Sequence, residues 1–161
     1  MGVYLSTPVT EKVGEEGANE IISYGCCAMQ GWRKTMEDAH IAVLDLHKRL
    51  QEDAQEACGT GGGDSEEKWH LFGVFDGHGG AEVAMFCKKH LSSRILTTPE
   101  IRERDFEGAL TRTFLSLDEM LMTEAGKREL RANSAIARTG QQQGNGGGRN
   151  GGRSERSISS R

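Results

Sequence analysis

A carboxylate and an imidazole two residues apart, Asp76 and His78, close the apolar run "FGVFDGHGG" among Gly77, Gly79 and Gly80. A carboxylate at the end of a strand is a hard oxygen ligand suited to Mg²⁺ or Mn²⁺, and one such group can bridge two ions. Two ions held that way generate a hydroxide nucleophile and stabilise an in-line displacement at phosphorus. His78 stands where an acid is needed to protonate a departing alkoxide. The glycines let the backbone take positive φ and let a carbonyl or amide approach a ligand closely. A plain Asp-Gly turn leading into a helix accounts for the same residues without chemistry, and this stretch alone does not separate the two readings.

A second polar group sits in "GWRKTMEDAH", residues 31–40. Arg33 offers a planar fork matched to phosphate oxygens. Glu37 and Asp38 are adjacent acids, which repel one another unless a cation lies between them. The ordinary reading is also open, since Thr35 and Asp38 have capping-box spacing and acid pairs are common on surfaces. A third, "EDAQEACGTGGGDSEE", is acidic but reads as a low-order loop rather than a calcium site. Rival uses of the glycines fail. The dinucleotide fingerprint breaks at Glu82, and the chain has neither a phosphate-binding G-x-x-x-x-G-K-[ST] nor a G-x-S-x-G nucleophile elbow.

These groups need elements to hold them. "IISYGCCAMQG" (21–31) mixes β-branched, aromatic and small residues and predicts a strand; "AHIAVLDL" (39–46) alternates and predicts a second. "WHLFGVF" (69–75) is apolar on both faces and predicts a buried strand. In "AEVAMFCKKHLSSRIL" the positions Val83, Phe86, Cys87, Leu91 and Ile95 recur at helical spacing. In "FEGALTRTFLSLDEMLM" Phe106, Leu110, Phe114, Leu117 and Leu121 do the same, and both stripes are expected to face the core. Arg33, Glu37 and Asp38, then Asp76 and His78, thus lie at the edges of apolar strands. Two neighbouring strands would set them at one end of a sheet.

The 161 residues, 35% hydrophobic and 27% charged, suit one soluble domain, and a net charge of -4 gives no reason to expect nucleic acid. The longest apolar runs fall short of the ~20 residues a membrane span needs. With no signal-peptide pattern, reduced thiols in the cytoplasm are expected, the nucleus staying open. Cys26, Cys27, Cys58 and Cys87 show no CxxC spacing, which argues against zinc or redox chemistry. "MGVYLS" fits the N-myristoylation pattern on Gly2; one such chain gives only weak, reversible membrane attachment. The expected organisation is an extended lead-in (1–20), a partial catalytic domain (21–131) with an acidic, Gly-rich insertion (48–68), and a disordered Gly/Gln/Arg/Ser-rich tail (132–161).

"YG…MQGWRKTMEDAH" followed by "FGVFDGHGG" resembles the metal-dependent Ser/Thr protein phosphatases of the PPM, or type 2C, family, in the N-terminal half of its domain. The resemblance implies an α+β fold, the N-terminal part of a four-layer α-β-β-α sandwich with two antiparallel sheets flanked by helices. It implies that Asp76 bridges two Mn²⁺ or Mg²⁺ ions. Glu37 and the Gly77 carbonyl would contact one of them, and Asp38 would support bound water. Arg33 would grip the substrate phosphate and His78 would act as general acid towards a Ser or Thr leaving group. Phosphoprotein substrates, a monomer and a myristoylated Gly2 are expected with it. Family domains are longer, with later strands carrying further aspartates, so an incomplete sandwich is expected here. Two alternatives accompany that expectation: a non-catalytic, phosphatase-like binding or regulatory module, and a chain that does not fold alone.

Overall fold

The computed structural model describes residues 4–48 and 68–143, with residues 135–143 described by their backbone alone. Gly2, Cys58, the body of the acidic insertion and the tail beyond residue 143 lie outside the described residues.

Two antiparallel pairs of strands form the β structure. Strand β1 (Tyr4–Ala18) and β2 (Ser23–Arg33) make a long hairpin in which Ala18 pairs with Ser23 and Glu15 with Cys26. Asn19 builds the turn: its side-chain oxygen accepts from the Ile21 and Ile22 amides, both at 2.9 Å, as an Asx turn requires. The register slips on either side of Val9. Opposite it, Gly31 takes φ +67°, a left-handed conformation that a side chain would resist. The segment expected as an extended lead-in is therefore a full strand. Its polar sequence hid this, because most of its residues face solvent.

Strands β3 (Ala39–Val43) and β4 (Leu71–Phe75) form the second pair, with Ala39 opposite Phe75 and Val43 opposite Leu71. One face of this pair, carrying Ile41, Val43, Leu71 and Phe75, meets the helices. The other carries His40, Ala42, Phe72 and Val74, with Phe72 44% and Val74 75% exposed. That corrects the expectation that 69–75 is buried on both faces: the β1–β2 hairpin covers the outer face only in part. It touches it where the Tyr24 ring packs edge-on against Phe72 and the Asn19 amide donates to the Leu44 carbonyl.

After helical residues 46–48, four helices follow: α1 (Glu82–Leu96), α2 (Pro99–Arg102), α3 (Phe106–Met122) and α4 (Glu124–Gln143). Asp105 caps α3 by accepting from the Gly108 amide at 2.9 Å, and Thr123 caps α4 through Gly126. Helix α1 presents Phe86, Leu91 and Ile95 to the core, where Ile41, Val43, Leu46, Ala109 and Leu117 meet them. Burying Phe86 contributes about 2–3 kcal/mol. Val83, assigned to the α1 stripe, is exposed.

The α3 stripe is corrected more deeply. Leu117 is buried and Leu121 packs against the core as expected, but Ala109 and Thr113 are buried in place of Phe106, Leu110 and Phe114, which lie at the surface. Small residues at 109 and 113 let α3 approach α1 closely, and Thr113 returns its hydroxyl to the Ala109 carbonyl, so it is buried without an unmet donor. Helix α4 runs to Gln143, so residues 132–143, expected within a disordered tail because the apolar pattern fades near Arg131, are helical instead. It is held to α1 by Glu129, which accepts from Lys89 and meets His90, and by Asn133, whose amide donates to the Glu82 carbonyl. Cys26, Cys27 and Cys87 are free thiols, and among the described residues no helix is long and apolar enough to cross a membrane. The architecture is α+β, with two small antiparallel sheets flanked by helices.

Candidate functional site

The β3–β4 register assembles the site. Ala39 pairs with Phe75, so the residues just before β3 and those just after β4 leave the same end of the sheet. Glu37 and Asp38 therefore face the turn that carries Asp76, Gly77 and His78. Packing confirms the juxtaposition. A Cβ on Gly77 would lie 2.8 Å from the Glu37 carbonyl carbon and 2.9 Å from its Cβ, closer than real side chains come. The glycine is there because the Glu37 backbone occupies the space.

The Glu37 carboxylate spans the gap. Its Oε1 accepts from the Thr35 hydroxyl at 2.7 Å, and its Oε2 from the Gly79 amide at 3.1 Å. The Thr35 hydrogen bond is the main reason its pKa lies below the usual carboxylate value. Partial burial opposes the shift, while the amides of Gly80 and Gly79 and the charge of Arg33 reinforce it. Arg33 is the last residue of β2. Thr35 and Gly79 were not singled out for this role from the sequence. The capping-box spacing pointed Thr35 towards Asp38, and the turn that delivers the Gly79 amide exists only once β3 and β4 pair.

Arg33, Asp38, Asp76 and His78 are all exposed. Asp38 and Asp76 make no side-chain hydrogen bond or ion pair with any described residue, so neither acid is spent on a structural contact. Hard carboxylate oxygens at a sheet end, with a glycine whose backbone is approachable, suit a divalent cation of the Mg²⁺ or Mn²⁺ type. Among the described residues, however, no three of His, Cys, Asp or Glu come together as a closed metal-binding group. The donors fit such an ion in kind and fall short of enclosing it. His40, the second residue of β3, meets Glu15 of β1 at 2.9 Å, and Glu15 also accepts from the Tyr24 hydroxyl at 2.7 Å. The Tyr24 bond, then the His40 bond, holds the Glu15 pKa down. This small network ties the hairpin to the strand that presents Asp38.

Comparison with known proteins places this corner in a family. Residues 22–139 match the family described as Protein phosphatase 2C. The chain is 42% identical over 130 residues to "Probable protein phosphatase 2C 21" of Arabidopsis thaliana, a match covering 81% of this chain and 31% of that protein. It is 41% identical to "Probable protein phosphatase 2C 6" of Paramecium tetraurelia, covering 81% and 38%. It is 43% identical to "Probable protein phosphatase 2C 58" of Oryza sativa subsp. japonica, covering 82% and 31%. The chain thus spans about a third of the length of these relatives.

Proposed function

This chain belongs to the protein phosphatase 2C family, and we propose that it carries part of a site hydrolysing phosphoserine and phosphothreonine in proteins. The observation that supports this reading most is the β3–β4 register, which sets Glu37 and Asp38 against Asp76 and Gly77. In this reading Glu37, Asp76 and the Gly77 carbonyl would hold Mg²⁺ or Mn²⁺, and Asp38 would support bound water. The ions, when bound, supply charge neutralisation at phosphorus and lower the pKa of the attacking water. Arg33 binds the phosphate oxygens with its planar fork and orients the ester for attack. Thr35 and Gly79 keep Glu37 ionised and fixed. His78, exposed on the turn, gives its proton to the leaving Ser or Thr oxygen. Phosphoproteins are the substrates, and a myristoylated Gly2 would add a weak membrane tether to an otherwise cytoplasmic monomer.

The experiment is hydrolysis of a phosphoserine peptide with Mn²⁺ by the full chain and by Asp76→Asn. Loss of at least a hundredfold in the variant is expected, and equal rates would refute the site. A second reading has its own observation, the lack of any closed three-donor group among the described residues. It makes the chain a non-catalytic module that holds a single ion, and a folded, Mn²⁺-titratable protein without turnover supports it.

A further inference from the structure

The register slip beside Val9 leaves the end of β2 outside a regular ladder. Tyr4 pairs with Arg33 and Val9 with Gly31, so five steps along β1 oppose two along β2. Gly31 turns the chain at φ +67° within the same stretch. The Gln30 side chain makes up for the lost pairing. Its Nε2 donates to the Arg33 carbonyl at 2.9 Å and to the Lys34 carbonyl at 3.1 Å, which uses both of its N–H groups. The Arg33 side chain is exposed and makes no hydrogen bond or ion pair with any described residue. Its direction is therefore set by its backbone, and Gln30 holds that backbone.

We propose that Gln30 is a positioning residue for phosphate recognition, which fixes the backbone of Arg33 and Lys34 and so aims the Arg33 guanidinium at the substrate phosphate. The inference rests on the catalytic reading, in which Arg33 binds the phosphate oxygens, and adds what holds that arginine in place. The segment from Arg33 to Asp38 is anchored twice. Gln30 holds it where β2 stops, and the bonds from Thr35 and Gly79 hold Glu37 just before β3 begins. A phosphate gripped by Arg33 is thereby kept in register with the Glu37 carboxylate, on which the Arg33 charge already acts. Glutamine suits this task by both chemistry and length. A carboxylate at position 30 would set oxygen against two carbonyls, and asparagine is one methylene shorter.

The test is a double-mutant cycle on the full chain, read by NMR titration with inorganic phosphate at saturating Mg²⁺ and so independent of turnover. Gln30→Met keeps the length of the side chain and removes both donors. It is expected to weaken phosphate binding about fivefold or more and to leave Mg²⁺ affinity within twofold. In an Arg33→Gln background the same change should cost nothing further, because Gln30 acts through Arg33. Gln30→Asn keeps the amide but falls short of the carbonyls, and should reproduce the loss if Gln30→Met does not fold. Unchanged phosphate affinity in the Gln30 variants, with a loss in Arg33→Gln, overturns this inference and leaves the catalytic reading standing. Losses that add in the double variant, or a matching fall in Mg²⁺ affinity, also overturn it, since Gln30 would then act on the fold at large. Phosphate affinity that Arg33→Gln leaves unchanged, or that the wild type lacks, overturns it together with the role of Arg33 in the catalytic reading.

Discussion

Gly77→Ala is the sharpest probe of the site, because the glycine is required by space rather than by backbone conformation. Gly31, Gly79 and Gly80 have positive φ; Gly77 does not. A methyl group there would sit 2.8 Å from the Glu37 carbonyl carbon and 2.9 Å from the Glu37 Cβ, and closer still to the carbonyl oxygen. Two of these neighbours are backbone atoms, which cannot swing aside like the tip of a flexible side chain. The segment carrying Glu37 and Asp38 must shift, and overpacking of this kind costs about 1–3 kcal/mol. For a chain of this size that lowers the melting temperature by about 3–9 °C. The same shift pulls Glu37 from the Gly79 amide, so Mn²⁺ affinity is expected to fall about tenfold or more, a loss near 1.4 kcal/mol. Calorimetry with and without Mn²⁺ separates the two effects. Gly25→Ala is the control: nothing lies within 4 Å of its added Cβ, and stability should hold or rise slightly. If Gly77→Ala melts with the wild type and binds Mn²⁺ as well, the close packing of the turn on Glu37 is wrong.

Three further outcomes are expected. Thr35→Ala should raise the Glu37 pKa, read by NMR titration. Because the folded value is depressed, the stability that Glu37 lends is present above the usual 4.5 and is lost as pH falls through the lower, folded pKa, a loss the variant should reduce. Leu117→Ala should cost about 2–5 kcal/mol in denaturant unfolding while Phe114→Ala costs about 1 or less, since Leu117 is fully buried and Phe114 is 48% exposed. Glu129→Gln should lower stability by about 1 kcal/mol and speed amide exchange in α4, as it weakens the contacts with Lys89 and His90.

The candidate donors were legible in the residues themselves. Arg33, Glu37, Asp38, Asp76 and His78 stand at the ends of runs whose β-branched and apolar residues favour strands. The strands at 23–33, 39–43 and 71–75 and the long helices α1 and α3 were likewise visible in their periodicity. Strand β1 was not, because its stability comes from pairing with β2 and from the Asn19 turn rather than from an apolar face of its own. The outward face of α3 could not be read either. Ala109 and Thr113 share the four-residue spacing of Phe106, Leu110 and Phe114, and Leu117, part of the expected stripe, continues the buried set. Hydrophobicity favours the first stripe, while close approach to α1 selects the second.

The sequence alone therefore offered the side chains that could do chemistry, because that depends on residue type. Tertiary structure decided which of them meet. Only the antiparallel register of β3 and β4 sets Gly77 against Glu37, turns the Thr35 hydroxyl and Gly79 amide onto one carboxylate, and leaves Asp38 and Asp76 unspent. It also leaves the far edge of β3 without a partner among the described residues. Contacts between residues some forty positions apart depend on pairing, and local pattern carries no record of it.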